Sequence, residues 1–155
     1  MNKKKDIYKI LSIVFILDQI IKLLIMNLIK ENQIISIIPK FFSLTYVKNT
    51  GAAFSILEGK LSILIMISVM FITIIHEYIK KEENISKLSM ISYGLILGGV
   101  FGNLLDRIIH QAVTDYLSFH LFNYYFPIFN LADISITCGI VLLIIEIILE
   151  KKKEV

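Results

Sequence analysis

The sequence predicts a mainly α membrane protein: four transmembrane helices with a small extracytoplasmic β-cradle, in a single domain. Three observations predict it. Hydrophobic residues make up 56% of the 155, too many for an ordinary soluble domain of this size. Four apolar runs, at about 7–29, 61–79, 88–109 and 134–149, approach the roughly 20 residues that cross a bilayer. Between them lie two segments, about 30–60 and 110–133, with strand-like alternation.

The first run follows Lys3, Lys4 and Lys5 as a secretory leader would. It is too long for one, lacks a small-residue cleavage site and carries Asp18 and Lys22, so it reads as a retained helix. The third run holds Gly94, Gly98 and Gly102 at four-residue spacing, a smooth stripe on which another helix can pack closely. The fourth contains the only cysteine, Cys138, which reads as a core residue; one cysteine permits no internal disulfide.

Basic residues set the topology. Lysines cluster at the start, in the middle loop (Lys80, Lys81, Lys87) and in the tail (Lys151, Lys152, Lys153). The stretch from His110 to Asp133 has no Lys or Arg. Both termini and the middle loop are therefore expected in the cytoplasm, with the other two segments outside. This charge distribution does not form a nucleic-acid stripe, and no nucleic-acid partner is expected.

In the outward segments, Phe42, Leu44 and Tyr46 alternate with Ser43 and Thr45, and Val113, Asp115, Leu117 and Phe119 alternate with Thr114, Tyr116 and Ser118. Both patterns suggest strands of a small sheet on the membrane surface. Asn49-Thr50-Gly51 reads as a turn, and Ala52-Ala53-Phe54 as small residues allowing close backbone approach. The aromatics of 119–129 read as an interfacial anchoring belt or as a lid over a lipid-facing site.

Polar residues beside hydrocarbon are costly and mark function. Asp18 and Lys22, one turn apart on the first helix, read as a structural ion pair. Asn103, Asp106, Arg107 and His110 recur on one face at the outer end of the third helix. An Arg there is no cytoplasmic signal and suits the holding of carboxylates or carbonyls. Asn130 and Asp133 suit a helix N-cap. Asp115 and Asp133 both face outward, and two carboxylates that meet can activate water by acid–base chemistry.

Other chemistries fit poorly. His76-Glu77 starts like a zinc motif, but Lys80 stands where the second histidine belongs. His110, His120 and Asp115 match no strong metal spacing. No nucleophile elbow, phosphate loop or dinucleotide fingerprint occurs, so neither metal nor cofactor is expected. The alternatives to an enzyme are a small transporter or channel subunit with a proton or ion path, and a structural subunit whose cradle binds a partner. A path would place ionisable groups at several depths, whereas here, Asp18 and Lys22 aside, they gather at the outer surface.

Five motifs in order resemble those of the bacterial lipoprotein signal peptidases (signal peptidase II). Asp18-Gln19 with Lys22 resembles DQxxK, and Val47-Lys48-Asn49-Thr50-Gly51-Ala52-Ala53-Phe54 resembles VxNxGAAF. Gly98-Gly99-Val100-Phe101-Gly102-Asn103-Leu104-Leu105-Asp106-Arg107 resembles GGAxGNxxDR; Val113-Thr114-Asp115-Tyr116 resembles VxDF, and the stretch from Phe129 to Asp133 resembles FNxAD. The resemblance implies a four-helix aspartyl endopeptidase of the bacterial cytoplasmic membrane, acting at its outer face. It would cut a diacylglyceryl-modified prolipoprotein just before the lipidated cysteine, with membrane lipid as its surroundings and as a monomer. By the same likeness Asp115 and Asp133 are the catalytic pair. Asn49, Gly51, Asn103, Arg107, Asn130 and Ala132 position substrate or steady the pair, and Asp18, Lys22 and Asp106 are structural. Three positions depart from the pattern: Val100 stands where Ala is common, Gln111 where Gly is usual, and Tyr116 where Phe is common. Gln111 sits at a turn that would favour positive φ, which a residue with a Cβ resists.

Overall fold

The computed structural model describes residues 3–51, 57–122 and 124–151. Four long helices are present: α1 (Lys3–Leu28), α2 (Leu61–Lys81), α3 (Lys87–His110) and α4 (Leu131–Lys151). Each contains a stretch long and apolar enough to cross a membrane. Strands β1 (Ile34–Ile38) and β2 (Phe42–Asn49) lie between α1 and α2, and β3 (Val113–Leu121) and β4 (Tyr124–Tyr125) between α3 and α4. They form one antiparallel sheet in the order β1-β2-β3-β4. The expected fold class is therefore the observed one.

Two helix starts differ from expectation by three residues or more. The first helix begins at Lys3, before its apolar run, and the last begins at Leu131 rather than 134. Asp133 is thus the third residue of α4. The alternation that marks β2 and β3 is absent from β1, whose Ile34, Ile35, Ile37 and Ile38 are all exposed. The expected small-residue segment Ala52-Ala53-Phe54 lies outside the described residues.

Helix α3 is the central one, and small residues explain why. Its apolar window is 56% buried, against 11% for α2. Side chains added at Gly94 and Gly98 would overlap Ile10 and Val14, so this stripe is where α1 seats. Gly102, one turn on, faces the Asp18 carboxylate, and Gly99 faces the backbone of Ala132 in α4. Ser86 caps the start of α3 by accepting from the Ser89 N–H at 3.0 Å. At the same end of the bundle Lys3 Nζ donates to the Ile85 carbonyl and Lys4 Nζ to that of Lys80. The start of α1 and the α2–α3 loop therefore share one end.

At the opposite end α1 and α3 are joined by ions. Lys22 is 1% exposed; its ammonium lies 2.8 Å from Asp18 Oδ2 and 3.1 Å from Asp106 Oδ2, and donates to Asn103 Oδ1 at 2.9 Å. Those acceptors match the three donors of an ammonium group. Gln19 Nε2 adds bonds to Asp106 Oδ1 and the Gly102 carbonyl, both 3.2 Å. Beyond this cluster α3 ends at Gln111, in the left-handed region (φ 59°) as the resembling pattern demands, despite its Cβ. The reversal is pinned where the Thr114 N–H donates to Asp106 Oδ2 at 3.0 Å.

Two stability outcomes follow. Gln111→Gly removes the crowding of a Cβ in that region and should raise stability by at most about 1 kcal/mol, seen as a small rise in melting temperature in detergent. Lys22→Met strands two buried carboxylates and should cost about 3–5 kcal/mol in the same measurement. An unchanged melting temperature would contradict the importance given to the cluster.

Candidate active site

The sheet and the start of α4 bring Asp115 and Asp133 to one cavity. Strands β2 and β3 pair with Leu44 opposite Leu117 and Val47 opposite Asp115, so two residues of β2 oppose Tyr116 alone. This bulge re-aims the end of β2. Asn49 Nδ2 then donates to Asp115 Oδ2 at 2.8 Å. Phe129 extends the sheet beside β3, giving its carbonyl to the Leu117 N–H at 2.8 Å, and so delivers Asn130 to the neighbourhood of Asp115.

Asn130 caps α4, as the sequence suggested, and does more. Its Oδ1 accepts from the Asp133 N–H at 3.0 Å, and Asp133 Oδ2 accepts from the Asn130 N–H at 3.2 Å. This reciprocal pair is a capping box with Asp as its acid. The Asn130 amide is thereby oriented with its NH₂ toward Asp115 Oδ1 at 2.7 Å and Asn103 Oδ1 at 3.2 Å. Asn103 Oδ1 thus accepts from both Lys22 and Asn130, which turns its own NH₂ to Asp133 Oδ1 at 2.8 Å. Asn49 is oriented likewise, since its Oδ1 accepts from the Gly51 N–H at 2.9 Å. Three asparagines, each fixed by another donor, present amide N–H groups to two carboxylates.

The remaining first-turn N–H groups of α4 are also satisfied. Ala132 donates to Asp18 Oδ1 at 3.0 Å and Leu131 to the Tyr116 hydroxyl at 3.1 Å. Ala132, 0% exposed, contributes through its backbone and its small size beside Gly102. Arg107 reaches over from α3, with Nη2 donating to the Gly51 carbonyl at 3.1 Å. Its Nε is buried without a hydrogen-bond partner among the described residues.

Asp115 and Asp133 line one cavity of about 1010 Å³ with Asn49, Asn103 and Arg107. It continues along the apolar faces of the bundle past Val100, Ile136 and Cys138. Cys138 is consequently exposed, not in the core as its apolar surroundings in sequence suggested. Burial, and then the charge of Asp133, push the Asp115 carboxyl from its ordinary 3.8 up to about 7. Burial likewise pushes the Tyr116 hydroxyl up to about 12, so it remains a neutral O–H at neutral pH.

Of the residues singled out in sequence, His110 is exposed and does not line the cavity, and His120 stacks on Tyr125 at 3.9 Å. The aromatic stretch partly folds into β4, with Phe119 stacked between Phe42 and Phe129 at 4.8 and 5.7 Å. Ser68 and Thr137 also line the cavity. Sequence reading missed both, and single hydroxyls in apolar helices gave no signal by which to choose them.

The chain is similar in sequence and fold to known proteins. A family described as signal peptidase (SPase) II matches residues 10–149. A solved structure described as a bacterial membrane enzyme, obtained by the in meso method at 2.3 Å resolution, is similar with a TM-score of 0.90 and 30% identity, over 96% of this chain and 91% of that one. A second structure of the same description, at 1.9 Å resolution, is similar with a TM-score of 0.82 and 32% identity, over 91% of each chain. A multi-pass membrane fold, a match across nearly the whole sequence and the ordered motifs lead to one conclusion: the chain belongs to the signal peptidase II family of lipoprotein-processing peptidases.

Proposed function

We propose that this peptidase is an aspartyl endopeptidase that removes the signal peptide from diacylglyceryl-modified prolipoproteins, cutting just before the lipidated cysteine. The observation that carries the reading is the linkage of Asp115 and Asp133 through Asn130 and Asn103 on one cavity wall. The whole chain is one peptidase domain acting as a monomer, with both termini cytoplasmic and the pair at the extracytoplasmic face of the bacterial membrane. The lysine distribution supports that orientation, as does the shared position of the α1 start and the α2–α3 loop.

Two carboxylates on one cavity, Asp115 buried and Asp133 half-buried, ionise together only at high cost, so the pair keeps one proton. The ionised member takes a proton from water, whose oxygen attacks the scissile carbonyl carbon. The protonated member donates to the carbonyl oxygen. When the tetrahedral adduct collapses, the leaving amine receives a proton from the pair and the C–N bond breaks. Asparagine N–H groups hold both carboxylates at fixed angles, and Arg107 offers at the cavity wall its Nε, which has no partner among the described residues. The apolar part of the cavity suits a signal-peptide helix and acyl chains entering from lipid. Asp18, Lys22 and Asp106 hold the frame. Membership of a peptidase family sets aside the transporter reading and that of a non-enzymatic subunit.

Asp115→Asn and Asp133→Asn, at wild-type expression, should each lower cleavage of a lipidated precursor by at least about 10²–10⁴-fold. Full processing by either variant would remove that residue from the pair. The pH dependence has a definite sign. In the free enzyme Asp115 holds its proton below about 7 and loses it above, so kcat/KM should fall as pH rises through about 7 in steady-state assays. A rate that climbs across that range would contradict the shared proton.

A further inference from the structure

Tyr116 follows Asp115 in β3, and Leu131 opens the helix turn that carries Asp133. The Tyr116 hydroxyl accepts from the Leu131 N–H at 3.1 Å. This is a side-chain bond spanning the two elements that bear the carboxylates. Tyr116 is 4% exposed and its ring sits in an apolar cluster with Ile25 and Ile29, so the hydroxyl is held in place from behind. Backbone bonds between β3 and Phe129 stop two residues short of the helix. Within the first turn, the acceptor for Ala132 comes from α1 and that for Asp133 from Asn130 itself, leaving Tyr116 as the acceptor that β3 supplies.

We propose that Tyr116 is a positioning residue for the peptidase reaction: its hydroxyl tethers the first turn of α4 to the strand of Asp115 and fixes the separation of the two carboxylates. The proposal rests on the aspartyl reading above and adds a residue to it. Tyr116 is buried and does not line the cavity, so loss of its hydroxyl is expected to act on the chemical step and not on substrate affinity. A buried hydrogen bond of this kind contributes on the order of 1 kcal/mol, equivalent to about a fivefold change in rate if all of it is felt in the transition state.

The test deletes each end of the bond in turn. Tyr116→Phe removes the acceptor; Leu131→Pro removes the donor at the first helical position, where proline is favoured. Wild type, both single variants and the double variant are compared in lipid bicelles on a synthetic diacylated precursor, with kcat, KM and melting temperature measured for each. Tyr116→Phe is expected to lower kcat by about 3–10-fold with KM within about twofold of wild type. The double variant should be no slower than the slower single one, since one bond cannot be lost twice. An unchanged kcat in Tyr116→Phe overturns the proposal, as does a lowered melting temperature or loss of folded protein without a kcat effect in what folds. Multiplying effects in the double variant also overturn it. Failure of wild type to cut the precursor overturns the aspartyl reading and this inference with it, whereas cleavage by wild type with an unaffected Tyr116→Phe overturns the tether alone.

Discussion

The ammonium of Lys22 is the point on which the rest of the active-site end depends. It satisfies Asp18 and Asp106, and its third proton orients Asn103. Each acceptor also makes a second bond. Asp18 receives the N–H of Ala132, Asp106 receives that of Thr114, and Asn103 donates to Asp133. A single buried cation thus fixes the start of α4, the turn into β3 and the amide facing one carboxylate. Such clusters are costly to bury and tolerate no missing member. In hydrocarbon surroundings, where water cannot stand in for a lost partner, that intolerance becomes geometric definition.

Geometric definition is what paired carboxylates require. Left to themselves, two such groups repel, and burial raises the cost of charging either. Here amide donors reach Asp115 from β2 and from the α4 cap, and Asp133 from α3 and its own capping box. The bonds from Asn49 and Asn130 ease ionisation of Asp115, while burial and the nearby charge of Asp133 oppose it and leave that carboxyl near 7. The balance suits the proposed mechanism, in which the pair holds one proton and releases it within a reaction cycle.

Much of this is legible in sequence because it is local. Span lengths, the i,i+4 relation of Asp18 and Lys22, the strand alternation of 42–46 and 113–119, and the glycine stripe of α3 all belong to short windows. The site residues themselves are reached by resemblance, and their joint geometry is not visible in any window. Asn103 lies 81 positions from Lys22 and 30 from Asp133 in the bonds that orient it. Strand β1 escapes notice because Ile34-Ile35-Ser36-Ile37-Ile38, a single serine among isoleucines, has no regular polar alternation to reveal it. Cys138 is misread as core because an apolar run does not say which of its faces meets a cavity. The Tyr116 hydroxyl is visible, but its acceptor role depends on where α4 begins, three residues before the apolar run suggests.

In the proposed function lipid is part of recognition, a reading supported by a cavity lined both by the carboxylates and by apolar residues of the helices. The most direct test is cleavage by the purified protein of one precursor in two forms, diacylated and unmodified, with the new N-terminus sequenced. The expected result is cutting of the diacylated form alone, with the lipid-bearing cysteine as the first residue of the product. Equal cutting of both forms, or a product that starts elsewhere, would contradict it.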